Sequence, residues 1–196
     1  MPTERLSNLA AIEAAAWNEL EQAVKDKAHP WRVAVLATRR MPDAESTDDD
    51  EACGADARCV LLREADREAR ELIFFADARS AKVRQAEAMP QGTLVLWSPG
   101  LSWQLRLAVE LEVAISGLAV SSRWARLKMT PAAQDYLSPL PPGTTLAHPH
   151  PTPERSTRDQ FCVVTARVRR MDWLELHAEG HRRAIFDAAG PRWVVP

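Results

Sequence analysis

No stretch of this chain stays apolar for the ~20 residues that a membrane-spanning helix needs, and its first residues, Met1 to Arg5, are polar with no apolar signal core. A cytoplasmic protein with no membrane partner is the expectation. Charge of one sign is also lacking: 25 Lys and Arg face 27 Asp and Glu, with no basic tail or block. That argues against a nucleic-acid partner. Cysteine is scarce and odd in number, with Cys53, Cys59 and Cys162 and no Cys-x-x-Cys spacing. That pattern argues against a disulfide framework and against a zinc ribbon, and the three thiols read as small core or surface residues. There is no internal repeat and no composition shift that would mark a domain boundary. The 196 residues fit a single domain, 1–196, with 46% apolar residues to fill its core.

What is present is mostly strand. A helix is expected over about Ser7 to Lys25, with Ser7 as N-cap and Leu9, Ile12, Ala16, Leu20, Ala23 and Val24 at helical spacing. His29-Pro30 ends it, since the residue before proline avoids the helical region. Strands follow at Trp31–Thr38, Arg58–Arg63, Glu71–Ala76 and Thr93–Ser98. Between the first two, Met41 to Ala57 is acidic, centred on Asp48 to Glu51, and reads as a solvated loop rather than a metal site. A short helix is expected over Ser80 to Met89, closed by Pro90. From Trp103 to Ile115 every odd position is apolar, the signature of a long strand with one buried face. Ser121 to Tyr136 reads as short helix or helical turns. Leu137 to Pro153 is a proline-rich arm, about 137–153, that cannot hold regular structure. Strands return at Phe161–Arg170, Asp172–His177, Arg182–Phe186 and Arg192–Val195, with a turn at Ala178-Glu179-Gly180. The fold class is mainly β: an antiparallel β-barrel with a few flanking helices.

One segment carries the chemistry. In Phe74-Phe75-Ala76-Asp77-Ala78-Arg79-Ser80-Ala81-Lys82 a strand ends, the chain turns and a helix begins at Ser80. A helix N-terminus offers free N–H groups and a positive dipole end, and Arg79 and Lys82 bracket it, which suits a phosphate. A capped surface helix with two solvated cations is the competing reading. Arg58 opens the strand Arg58-Cys59-Val60-Leu61-Leu62-Arg63. Alternation sets Arg58, Val60 and Leu62 on one face and Cys59, Leu61 and Arg63 on the other.

This order of features resembles the pyridoxamine 5'-phosphate oxidase family: Arg-x-Val-Leu-Leu-basic, a strand ending in aromatics, then Ser-x-Lys at a helix start. Leu101-Ser102-Trp103-Gln104-Leu105-Arg106 is similar to that family's strand with a flavin-contacting glutamine. Asp172-Trp173 with Gly180 to Phe186 resembles its C-terminal Trp-to-Arg signature, and Arg192 to Pro196 its terminal strand. The resemblance implies a split β-barrel that binds FMN as a homodimer, with the flavin sites at the subunit interface. Carried over residue by residue, it implies that Arg58 and Lys82 hold the FMN phosphate with Ser80 beside them. Arg79 would be a further phosphate ligand, although the position matching the family's own arginine is Ala81. The backbone of Val60, Leu61 and Leu62, with Arg63 following, and of Phe75 and Ala76 would line the flavin. Gln104 would reach its ring, and Trp173 and Arg183 would complete the site from the second subunit. His181 would face the flavin or its ligand.

The resemblance implies an FMN-dependent oxidoreductase of unassigned substrate. Two alternatives stand beside it: a genuine pyridoxamine or pyridoxine 5'-phosphate oxidase, and a flavin binder that turns nothing over. Against the genuine oxidase, the family's substrate-phosphate lysine is Arg63 here, its helical Tyr-and-Arg set has no clear counterpart among Arg123, Arg126 and Tyr136, and Glu179 replaces an arginine. His177 and His181 flank Glu179 in a turn, but the zinc-protease order His-Glu-x-x-His is absent and no metal is expected. His148 and His150 read as loop residues. Trp31, Trp97, Trp103, Trp124 and Trp193 read as core and interface packing.

Overall fold

The computed structural model describes residues 5–40, 54–148 and 160–196, so the acidic loop and the far end of the arm lie outside the described residues. Helix α1 spans Leu9–Lys25. Its cap is Asn8 rather than Ser7. The Asn8 Oδ1 accepts from the N–H groups of Ala10 at 2.8 Å and Ala11 at 3.2 Å, and asparagine serves this role as well as serine. Ile12, Ala16, Trp17, Leu20 and Ala23 form its buried stripe, a 3.6-residue repeat that lays one face on the main core.

Among the described residues eight strands follow: β1 Val33–Arg39, β2 Ala55–Asp66, β3 Glu71–Asp77, β4 Gln91–Ser98, β5 Trp103–Ala114, β6 Phe161–Glu175, β7 Arg182–Phe186 and β8 Arg192–Val194. Trp31 is not in the first strand as expected; Pro30–Arg32 is a 3₁₀ turn, because proline supplies helical φ and no N–H for a ladder. All pairings are antiparallel, in the order β3-β2-β1-β4-β5-β6-β7-β8, and β3 also pairs β6. Six strands thereby close a barrel, with β7 and β8 continuing from β6: a split β-barrel with few helices.

The long alternating segment is β5, with Trp103, Leu105, Leu107, Val109 and Leu111 all buried. Its predicted last residue, Ile115, lies beyond the strand and is exposed. The two strands expected at 161–170 and 172–177 are one, β6. A bulge opposite Ala108 and Val109 leaves Arg169 and Arg170 both outward. One extra residue there resets the alternation, so Val164, Ala166 and Val168 face inward before the bulge and Met171 and Trp173 after it.

Helix α2 covers Ala81–Ala88 and α3 covers Leu118–Leu127, followed by a 3₁₀ turn at Pro131–Tyr136. The α3 segment covers the outer face of β3 and β6. Val120, Trp124, Leu127 and Tyr136 pack there on Phe161 and Val163, with Phe75 and Leu137 at the margin. This satellite core holds the near end of the arm beside the end of β3.

Candidate phosphate cradle

The cradle forms where two strands part. β2 and β3 pair from Asp66 with Glu71 to Leu62 with Phe74, with an irregularity at Arg63, and no further. Beyond that point Phe75, Ala76 and Asp77 pair only with β6, and Arg58 to Leu61 only with β1. One side of each strand therefore lacks a ladder partner, and α2 begins beside this opening.

Ser80 is the N-cap position of α2, yet its side chain caps nothing. It is 2% exposed, and its hydroxyl has no hydrogen-bond partner. A buried, unpaired hydroxyl costs free energy, and at a helix start it is placed to donate to an anion. Lys82 is partly buried; burial, and then the charge of nearby Arg58, lower its pKa. Lys82 and Arg58 gather beside the start of α2 with the unpaired Ser80 hydroxyl, and although Arg58 is shared with Asp56 the residues present fit a phosphate dianion.

Arg58 sits on the inner face. It donates to the Leu36 carbonyl at 3.4 Å, to the Thr38 hydroxyl and to Gln85 Oε1 at 2.9 Å, and pairs with the Asp56 carboxylate. Arg79 is differently engaged and is not a member of the cradle. It pairs with Asp77 at 2.7 Å and donates to the carbonyls of Ser138, Pro139 and Leu140 at 2.9, 3.0 and 3.3 Å. It ties the arm to the start of α2. Val60 and Leu62 send their side chains into the core.

Arg63 faces outward at the irregularity. Its guanidinium lies 5.5 Å from the Phe75 ring centre, and its Nε is buried without a partner. Arg63, Phe75, Arg123, Arg126, Glu64, Leu127 and Thr130 line a pocket of about 400 Å³. Glu64 takes Arg123 in two bonds of 2.9 and 2.7 Å and Arg126 at 3.6 Å. Three arginines against one glutamate leave the pocket net cationic. The fold thus brings Arg123 and Arg126 to Arg63, a grouping that residue spacing did not reveal.

The other expected residues lie elsewhere in the chain. Gln104 on β5 and Arg183 on β7 share an outer-face row, Trp97–Gln104–Leu174–Arg183, and Arg183 is held by Asp172 at 2.9 and 2.7 Å. Trp173 on β6 lies on the opposite, inward face. It is fully buried against Trp103 and Trp193, away from the surface of its own chain. His181 is exposed in the turn, where its Nδ1 accepts from the His177 N–H at 3.1 Å. Between the two sets of residues lies an outward sheet face bearing Val33, Val35 and Trp97, each at least 39% exposed, with Cys59 alongside. An open groove of about 620 Å³ over Ala37, Gly92 and Ala108 continues that face.

The sequence reading missed Thr38, Asp56 and Gln85. Asp56 was within reach of it: it stands two residues before Arg58, on the same face of one strand.

No family model matches the chain, and no curated protein matches it. Solved structures do. A pyridoxamine 5'-phosphate oxidase-related, FMN-binding protein from Nostoc punctiforme superposes with a TM-score of 0.65 at 20% identity, covering 98% of this chain and 100% of that one. PhzG from Burkholderia lata, solved with tetrahydrophenazine-1-carboxylic acid, gives 0.64 at 15% identity over 98% and 95%. A Clostridium acetobutylicum protein related to general stress protein 26 gives 0.55 at 9% identity over 91% and 96%. The fold is therefore the split barrel of the pyridoxamine 5'-phosphate oxidase-like, FMN-binding proteins.

Proposed function

We propose that this protein is a homodimeric FMN-dependent oxidoreductase acting on a small anionic substrate in the cytoplasm. The observation that carries the reading is the buried, unpartnered Ser80 hydroxyl at the start of α2, with Lys82 and Arg58 beside it. In this reading Arg58, Ser80 and Lys82 bind the FMN phosphate. The backbone of Val60 to Leu62 and of Phe75 and Ala76 lines the ring. Bound FMN supplies hydride acceptance, and an acceptor such as oxygen takes the electrons onward. No side-chain acid or base is assigned.

Gln104 and Arg183 lie on the outer face of β5 and β7, away from the cradle of their own chain. A second copy laid on the apolar face around Val35 and Trp97 brings them to the neighbour's flavin. An exposed sheet face of that character also favours burial in a symmetric pair.

The cationic pocket beside Phe75 supports an anionic substrate, oriented by Arg63, Arg123 and Arg126. It also favours the second reading, a genuine B6-phosphate oxidase, because two helical arginines reach the pocket that sequence spacing left without them. Glu179, the expected obstacle, is 78% exposed on its turn with Arg5 at 3.8 Å. The carboxylate ligand of PhzG, a protein of the same fold, is compatible with the same pocket chemistry.

The test begins with titration of purified protein with FMN, an absorbance spectrum, and mass spectrometry of the released ligand. Saturable micromolar binding of FMN is expected. No saturable binding would remove the reading altogether. The loaded protein is then assayed with pyridoxine and pyridoxamine 5'-phosphates, their unphosphorylated forms, and reduced cyclic carboxylates. Turnover of B6 phosphates near 1 per second or faster selects the genuine oxidase; turnover of no anion leaves a flavin binder.

A further inference from the structure

Under the cradle lies a polar network that includes Gln85, which is 6% exposed. Gln85 stands one helical turn after Lys82 on α2. Its Oε1 accepts from the Thr38 hydroxyl at 2.6 Å and from Arg58 Nη2 at 2.9 Å, while its Nε2 donates to Asp56 Oδ2 at 2.9 Å. Thr38 and Asp56 are themselves directly opposed across β1 and β2. One buried amide therefore touches both members of the Arg58–Asp56 ion pair as well as the hydroxyl that accepts from Arg58.

A buried amide costs free energy unless it is fully bonded, and α2 has apolar residues for packing in Val83 and Ala86. The contacts of Gln85 instead concern the charge of Arg58. The Oε1 helps fix the guanidinium plane, and a cation held in one orientation loses less freedom when it binds an anion. The Nε2 takes a share of the Asp56 carboxylate, which otherwise competes with any incoming anion for Arg58. Asp56 is held below the usual carboxylate range, first by this Gln85 bond and, against its burial, by Arg58.

We propose that Gln85 is the positioning residue of the phosphate cradle: it presents Arg58 to the ligand's phosphate and thereby sets the preference for a phosphorylated flavin over an unphosphorylated one. This rests on the FMN reading above. The experiment measures dissociation constants for FMN and for riboflavin, by flavin fluorescence, in wild type, Gln85→Leu and Gln85→Glu. Riboflavin carries the ring without the phosphate, so it reports any general damage to the site.

Gln85→Leu should weaken FMN about tenfold or more, a range set by one hydrogen bond to a charged group, while riboflavin stays within about twofold. Gln85→Glu keeps the volume but sets a second carboxylate on Arg58, and should move FMN in the same direction with riboflavin again unchanged. If the leucine variant does not fold, the isosteric glutamate variant decides. Equal losses for both flavins would show a merely structural role, and an unchanged ratio in both variants would show no role; either overturns the proposal. A wild type that binds neither flavin overturns the FMN reading and this inference together. A wild type that binds FMN while the variants keep its preference overturns this inference alone.

Discussion

Replacing Lys82 with alanine separates a ligand-binding cation from a structural one by sign. In the free protein Lys82 is a partly buried ammonium with Arg58 nearby, and both facts lower its pKa, burial first. The free protein therefore holds this charge at a cost, and Lys82→Ala should leave the urea midpoint of the flavin-free form unchanged or slightly raised. Binding should move the opposite way. One charge-assisted bond to a phosphate contributes ~1.5–3 kcal/mol, so FMN affinity should fall by about one to two orders of magnitude. The pH dependence has a definite sign as well. A lysine whose folded-state pKa lies below its unfolded value binds more proton unfolded, so the free protein should gain stability as pH rises through the folded pKa toward the unfolded value near 10.4. The alanine variant should lack that gain. Fluorescence titration with FMN and urea unfolding of the flavin-free protein at several pH values measure all three effects. Unchanged FMN affinity would refute the placement of the phosphate. Lost affinity together with a destabilised free protein would show that Lys82 holds the fold rather than the ligand.

Three further outcomes follow from the same physical reasoning. Glu175, 6% exposed, is bound by Arg5 at 2.6 Å, by Arg182 at 2.8 Å and by the Trp103 indole at 3.4 Å; Glu175→Gln leaves two arginines short of an anion and should cost about 2 kcal/mol in urea unfolding. Asp172 is held below the usual carboxylate range against its burial, chiefly by Arg183; its stabilising share is full above the unfolded pKa near 3.9 and is lost as pH falls through the folded one, so the stability gap between wild type and Asp172→Asn should close in acid. Cys59 lies exposed opposite Val35 on the apolar face, whereas burial pushes the Cys162 thiol up to about 12; iodoacetamide mapping should find Cys162 unmodified, Cys59 protected in a dimer, and Cys59 reactive once Val35→Glu makes light scattering report a monomer.

The barrel was legible because its signals are local. Period two from Trp103 to Val113 needs only a strand with one wet face, and Pro90 and Gly180 mark breaks between elements by their own backbone chemistry. The errors arose where a distant partner decided. The bulge in β6 could not be read from Arg169-Arg170, since it depends on pairing with Ala108 and Val109. Asn8 displaced Ser7 as cap by a one-residue difference in where the helical turn closes. Arg79 looked like an anion ligand because its neighbours in sequence suit one, yet Asp77 and three carbonyls of the arm, some sixty residues away, take its donors.

The same distinction explains which parts of the candidate site could be read. A helix N-terminus at Ser80, with Lys82 following, is local, and α2 begins there. The resemblance implies that Trp173 completes the site from a second subunit, but the face of β6 on which it falls is set by the bulge at Arg169, four residues earlier, and that face is the core. The cationic pocket depends on how α3 lies across β3 and β6, which is fixed by Trp124 and Tyr136 packing on Phe161. That packing brings Arg123 onto Glu64, fifty-nine residues away. The glutamate has a consequence of its own. It holds Arg123 in a two-bond fork, which under the proposed reading an entering anion would share or break. A phosphate dianion competes for the arginines better than a carboxylate does. Removal of the Glu64 charge should therefore help weaker anions most.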